Sequence, residues 1–244
     1  MIKTVLFDLD GTLLPMDQDK FVESYFRLLV KRMSPLGIDG KELIDAIWHG
    51  TKAMVLNDGK KTNRDVFWED IKAYYKDYSK ELENELNDFY KVDFQESEKY
   101  CGFNKYAKII ISEIKKRGLQ VIIATNPIFP YFATESRMKW AGINLKDIDL
   151  YTAYESSTYS KPNIKYYEEI IKKMNLNPKE CLMVGNDVDE DMIAEKLGMK
   201  VYLVTDCLIN KSNKDINVYP NGSLKDFYEY LGKLIFKNNG PEIL

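Results

Sequence analysis

Histidine is nearly missing from this sequence: His49 is the single one in 244 residues. Any Ser-His-Asp arrangement would have to use it, and a multi-histidine metal centre or an HExxH zinc motif is excluded. Cysteine is almost as scarce. Cys101, Cys181 and Cys207 are too few and too far apart for a disulfide framework or a Cys-type zinc site, and they read as small buried hydrophobes. None has the arginine six residues later that marks a phosphatase-type nucleophilic cysteine; Ala107, Asp187 and Asn213 hold those places. There is no GxxxxGK[ST] loop and no GxSxG elbow. No apolar run approaches the ~20 residues of a membrane span, and no charged-then-apolar leader precedes a cleavage site, so the expected location is cytoplasmic. An excess of charge is lacking too. With 35 basic against 38 acidic side chains the net charge is -3, which gives no electrostatic footprint for nucleic acid. The chemistry must rest on carboxylates, hydroxyls and lysines.

What is present begins with "MIKTVLFDLDGTLL". Val5, Leu6 and Phe7 form a continuous apolar stretch bounded by Gly11, the pattern of a buried strand. If the strand persists, Asp8 and Asp10 point to one side. Two carboxylates aimed at one spot repel each other and lose hydration, so such a pair implies a cation, a shared proton or a phosphoryl group between them.

Further apolar runs alternate with helical patterns, as in an α/β domain. Candidate strands cover 119–124, 148–152, 181–184 and 200–204. Helical stretches cover 104–117, stopping at Gly118, then 163–174, 188–197, and a last one from Ser223 to about Phe236. More than a hundred residues separate Asp10 from the second strand, far beyond a single crossover. The excess is an expected inserted domain. Within it Phe21, Tyr25, Leu29 and Met33 recur at helical spacing, as do Leu43, Ile44, Ile47 and Trp48, then Val66, Phe67, Ile71, Tyr74, Tyr75 and Tyr78, then Leu82, Leu86, Phe89 and Tyr90. With Asp39 and Asn63 as caps, residues 18–95 are expected to form a four-helix bundle. Its aromatic residues Trp48, Trp68, Tyr74, Tyr75 and Tyr78 read as bundle core and His49 as an ordinary residue of the insertion. The chain enters this insertion near Pro15 and leaves near Gly102, two adjacent linkers able to act as a hinge. The tail from Lys237 is expected to be loose.

The strand ends share a property. The first ends in Asp8 and Asp10, the second in Thr125 and Asn126, and the fourth in Gly185, Asn186, Asp187 and Asp191; Lys161 stands before Pro162 at a helix entrance. Sites in open parallel sheets form outside the carboxyl ends of strands. "DVDED" falls short of an EF-hand, because Met192 and Gly198 occupy the places of its Gly and Glu.

These residues resemble the haloacid dehalogenase superfamily, in its phosphatase branch. DLDGT at 8–12 matches the family's first motif, the threonine closing "VIIAT" its second, Lys161 its third and the acidic GND stretch its fourth. The resemblance implies a Rossmann-like, doubly wound parallel sheet as core, residues 1–14 and 103–244, with a four-helix cap at 15–102. It implies Asp8 as the nucleophile that takes the phosphoryl group and Asp10 as general acid and base, its pKa raised by crowding from Asp8. Lys161 would add a fixed positive charge, while the Thr125 hydroxyl and backbone N–H groups near Leu9, Asp10 and Asn126 would bind phosphoryl oxygens. Mg²⁺ would be held by the Asp8 carboxylate, the Asp10 carbonyl and the fourth motif. There the family's usual Asp after the glycine is replaced by Asn186, so either Asn186 or Asp187 is the ligand, and Asp191 supports Lys161 or the loop. Gly11 permits the tight backbone departure and Thr12 braces it.

The expected activity is Mg²⁺-dependent hydrolysis of small phosphomonoesters. A β-phosphoglucomutase-like mutase and a non-enzymatic phosphoacceptor or phosphate-binding role are the alternatives. Acidic residues outnumber basic ones over 15–100, which disfavours polyanionic partners; a small phosphorylated metabolite is the expected ligand. The sequence carries no signal for oligomeric state.

Overall fold

The computed structural model of the chain describes residues 1–75 and 79–236. In chain order the elements are β1 (Thr4–Phe7), α1 (Gln18–Met33), α2 (Gly40–Val55), α3 (Asn63–Tyr74) and α4 (Ser79–Lys91). They continue with α5 (Lys105–Lys116), β2 (Gln120–Ile123), α6 (Tyr131–Trp140), β3 (Leu150–Tyr151), α7 (Ile164–Met174) and β4 (Cys181–Gly185). The last are β5 (Lys200–Val204), β6 (Asn221–Gly222) and α8 (Leu224–Phe236).

The six strands form one parallel sheet in the order β3-β2-β1-β4-β5-β6. A parallel sheet is covered on both faces, so its strands read as unbroken apolar runs. The pleat then sends alternate residues to opposite layers. Val5, Phe7, Val121, Ile123, Leu182 and Val184 join a core with Ile110, Ile111 and Ile114 of α5 and Phe227 of α8. Leu6, Ile122, Met183 and Leu203 join a second core with Tyr166, Tyr167 and Ile170 of α7. The α/β class expected from the alternation and the doubly wound parallel sheet implied by the resemblance are therefore the ones observed.

The four helices of the insertion stand where periodicity put them. Asp17 caps α1 by accepting from Lys20 N–H, and Asp39 caps α2 by accepting from Lys41 and Glu42 N–H. The cap of α3 is Thr62, which accepts from Asp65 N–H, and not Asn63. Asn63 is buried instead, and its Nδ2 donates to Pro127 O (3.1 Å) and Ser160 Oγ (3.0 Å), tying α3 to the sheet's loops. Arg64 N–H donates to Tyr154 O at 2.8 Å beside it. Tyr25, Phe89, Tyr90 and Phe94 pack edge-on and extend to Phe129 and Trp140, so aromatic contacts also run from the insertion to the sheet side. Trp48 departs from its expected core place: it is 51% exposed and lies against Phe26. Tyr74 is exposed too, whereas Trp68 is buried. Tyr78 and the tail from 237 lie outside the described residues.

The entry and exit of the insertion are side by side. Gly102 N–H donates to Pro15 O at 2.7 Å, and Met16 forms an antiparallel bridge with Cys101.

Other boundaries shift. The stretch 188–197 is a turn followed by a 3-10 segment, Met192–Leu197, ending at Gly198. β3 is two residues long, and α7 is capped by Asn163, which accepts from Lys165 N–H, one residue beyond Pro162. Two elements have no sequence-based counterpart, α6 and β6. Of the cysteines only Cys181 is buried. Among the described residues no helix is long and apolar enough to cross a membrane.

Candidate active site

The sheet ladder itself assembles the site. Phe7 pairs with Ile123 on one side and Val184 on the other. The ladder runs one step further, with Ala124 N–H on Phe7 O (2.6 Å) and Asp8 N–H on Val184 O (2.9 Å). Asp8, Thr125 and Gly185–Asn186 consequently leave three adjacent strands at one level. The order reverses between β1 and β4, the switch point where open α/β sheets bind ligands.

Asp8 is buried and both its oxygens are engaged. Lys161 Nζ donates to Asp8 Oδ1 at 2.9 Å and to Asp191 Oδ1 at 2.6 Å. Thr12 Oγ1 lies 3.1 Å from Asp8 Oδ2 and 2.9 Å from Asn186 Oδ1, sharing its hydrogen between them. The Lys161 side chain is 1% exposed. Burial opposes its charge, but Asp191 and Asp8 outweigh that and push its pKa well above the usual lysine value. The two carboxylates thus favour the charged ammonium. Asp191 is seated because Gly185 has no Cβ; one would collide with the Asp191 carboxylate. Its other oxygen, Oδ2, accepts from Asp187 N–H at 3.0 Å.

Asn186 donates from Nδ2 to Cys207 O at 2.6 Å, which turns its amide oxygen toward Thr12. Gly11 sits against this amide at φ +86, and any side chain there would strike it. The Asp187 carboxylate has another task. Its Oδ1 accepts from Asp189 N–H (2.8 Å) and Glu190 N–H (2.9 Å), closing the turn. Leu9 is fully buried and its carbonyl accepts from Thr12 and Leu14 N–H, which fixes the loop after β1.

Asp10 faces a different cation. Arg137 of α6 pairs through Nη1 with Asp10 Oδ2, while Asp10 Oδ1 is buried without a hydrogen-bond partner. Its pKa rises to about 6, first through burial, which Arg137 opposes, and only then through Asp8. Crowding by Asp8 is thus the smaller cause. Arg137, 1% exposed, is held by Nε on Ala133 O (3.2 Å), Nη2 on Thr134 Oγ1 (3.3 Å) and the Phe129 ring 4.6 Å away.

Thr125 is buried, and its carbonyl accepts from Thr152 Oγ1 (2.6 Å) and Tyr166 OH (2.9 Å). Asn126 donates to Glu190 Oε2 at 3.2 Å and leaves its own Oδ1 buried and unpartnered. All eleven sequence-derived site residues therefore lie in one connected region around the β1, β2 and β4 ends. Four neighbours were not anticipated: Arg137, Glu190, Tyr166 and Ser160. Glu190 was visible within the acidic "DVDED" run, but nothing in the sequence marked Arg137.

The oxygens expected to meet a metal are all hard ones: the Asp8 carboxylate, the Asn186 amide oxygen or in its place an Asp187 carboxylate, and the Asp10 main-chain carbonyl. Thr12 lies within 3.1 Å of the Asp8 and Asn186 oxygens. Such oxygens fit Mg²⁺. Among the described residues no group of three or more His, Cys, Asp and Glu converges on a metal position.

The chain belongs to the haloacid dehalogenase-like hydrolases, whose family model matches residues 2–197. A glyceraldehyde 3-phosphate phosphatase of Methanocaldococcus jannaschii is 29% identical over 205 residues, 82% of this chain and 83% of that one. Among solved structures, a HAD phosphatase from Thermococcus onnurineus superposes with a TM-score of 0.58 at 18% identity, covering 95% of this chain and 98% of that one. YfnB from Bacillus subtilis, bound to magnesium, superposes at 0.56 and 17%, covering 95% and 99%. At these identities the structures speak for the fold. The fold and the family agree: this is a hydrolase on a doubly wound sheet.

Proposed function

We propose that the protein is a Mg²⁺-dependent phosphatase of small phosphomonoesters that works through a phosphoryl group carried on Asp8. The observation that supports this most directly is the Asp8 carboxylate at the switch point, held by Lys161 and Thr12, with a second carboxylate two residues on.

Asp8 attacks phosphorus; the O–P bond to Asp8 forms as the ester O–P bond breaks. Two like charges ~4 Å apart at an effective dielectric near 20 repel by about 4 kcal/mol, so a carboxylate meets a phosphate dianion only where cations compensate. Lys161 is one such charge. Bound Mg²⁺, held by Asp8, the Asp10 carbonyl and Asn186, would supply the other by drawing charge from the phosphoryl oxygens. Asn186 is the better ligand of the two alternatives, since its oxygen faces Thr12 while Asp187 closes its own turn. The Thr125 hydroxyl and the backbone N–H groups near Leu9, Asp10 and Asn126 donate to the phosphoryl oxygens, and Asp10 gives a proton to the leaving oxygen, then takes one from the attacking water. Asp191 keeps Lys161 in place.

In this reading residues 1–14 and 103–244 are the catalytic core and 15–102 the cap that covers the substrate's alcohol half. A cavity of about 100 Å³ between the insertion and the loop after β2 is lined by Tyr25, Phe26, Trp68, Tyr90, Phe129 and Tyr154. Among the described residues no Lys or Arg lines it, which favours an uncharged leaving alcohol. Purified protein is expected to hydrolyse p-nitrophenyl phosphate with Mg²⁺ and lose that activity with EDTA. Full activity of Asp8→Asn would sink the assignment.

A further inference from the structure

Arg137 is the one fully buried cation of the site that no motif accounts for. It is anchored at three points independent of Asp10: Ala133 O, Thr134 Oγ1 and the Phe129 face. A guanidinium is a planar fork with fixed donor directions. Once Nε and Nη2 are bound the plane of the fork is fixed, and within that plane Nη1 donates to Asp10 Oδ2. The partner oxygen, Oδ1, is buried and bonded to nothing. The two oxygens of one carboxylate are thereby made unequal, one tied and one free.

We propose that Arg137 is a positioning residue that dictates which oxygen of Asp10 exchanges the proton. Nη1 holds Oδ2 and so presents Oδ1 to the leaving oxygen. The inference rests on the phosphatase reading and adds to it a residue from an element outside the four motifs. In the first step the proton on Oδ1 passes to the leaving alcohol oxygen as its bond to phosphorus breaks and the Asp8–phosphorus bond forms. In the second, Oδ1 takes a proton from water as the water oxygen bonds to phosphorus and the Asp8–phosphorus bond breaks. Throughout, Arg137 keeps its protons and its bond to Oδ2. Thr134 contributes through Arg137 alone.

The test uses two esters that differ in their need for a proton. p-Nitrophenolate leaves unprotonated, whereas the alkoxide of glycerol phosphate does not. With Arg137→Met, kcat for glycerol phosphate is expected to fall about 10²-fold, the low end for loss of general acid-base help. For p-nitrophenyl phosphate it falls less than about tenfold, with KM little changed for either. Arg137→Lys, or added guanidinium ion with Arg137→Met, is expected to recover part of the glycerol phosphate rate. Placed in Asp10→Asn, Arg137→Met is expected to cost little more. If Arg137→Met does not fold, Thr134→Val, which frees one anchor, is expected to show the same selectivity in smaller measure. Equal losses on both esters, or additive losses with Asp10→Asn, would overturn the assignment of Arg137 alone. Hydrolysis of neither ester by the unaltered protein would overturn the phosphatase reading and this proposal with it.

Discussion

Asp8 and Asp10 are two residues apart, both face a buried cation, and they are supported in opposite ways. Asp8 has both oxygens bonded, to Lys161 and Thr12, and shares its lysine with Asp191. Asp10 has one oxygen on Arg137 and one on nothing, and its pKa sits near 6. The compact ammonium serves two carboxylates at once, while the planar guanidinium, its orientation fixed by two other bonds, meets one. The lysine side of the site pairs every carboxylate oxygen it meets with Lys161, Thr12 or the Asp187 N–H, and the arginine side leaves one oxygen of Asp10 buried and unpaired. Two adjacent carboxylates acquire different chemistry through their surroundings rather than through sequence.

Removing one member of each group tests that contrast. The largest effect is expected for Asp8→Asn, which deletes the attacking oxygen: turnover should fall by 10³-fold or more, with no acid-stable phosphorylated protein after mixing with substrate. Next is Lys161→Met. It leaves Asp8 and Asp191 buried side by side without a cation, and breaking such a group costs about 3–5 kcal/mol, to be read as a lower urea midpoint. Should Lys161→Met match the wild type in stability, the lysine side would not be the charge-holding half. Asn63→Ala should follow, at about 1–3 kcal/mol, because it frees Pro127 O and Ser160 Oγ beside the loops that carry Asn126 and Lys161. A stability loss with no drop in kcat/KM would show that those loops hold without α3. The smallest effect is expected for His49→Ala. His49 meets Asp70 at the surface, and an exposed pair of this kind is worth within about 0.5 kcal/mol; turnover should be unchanged.

The sheet was legible because parallel strands are buried on both faces and announce themselves as runs such as Val5–Phe7 and Val121–Ile123. The polar residues that end those runs were legible for the same reason. α6 was not. Its buried side chains include Thr134, Ser136 and Arg137 along with Ala133 and Met138, so no apolar stripe marks the helix, and a buried arginine looks like any surface arginine until its partner is known. Asn63 failed as a cap for a related reason. Thr62 and Asn63 are both good cap residues, and tertiary bonds to Pro127 and Ser160 decided between them. Trp48 followed helical spacing yet lies on the outer side, since periodicity gives a face and does not say how far the packing extends around the helix.

The hydrogen bond from Gly102 to Pro15 brings the two ends of an excursion of more than eighty residues within one peptide's reach. A chain that departs and returns at the same point can have the intervening length exchanged without moving β1 or α5. A shorter or foreign segment grafted at Pro15 and Gly102 would keep both strand ends in register, provided it also supplies the bonds that Asn63 makes to Pro127 O and Ser160 Oγ.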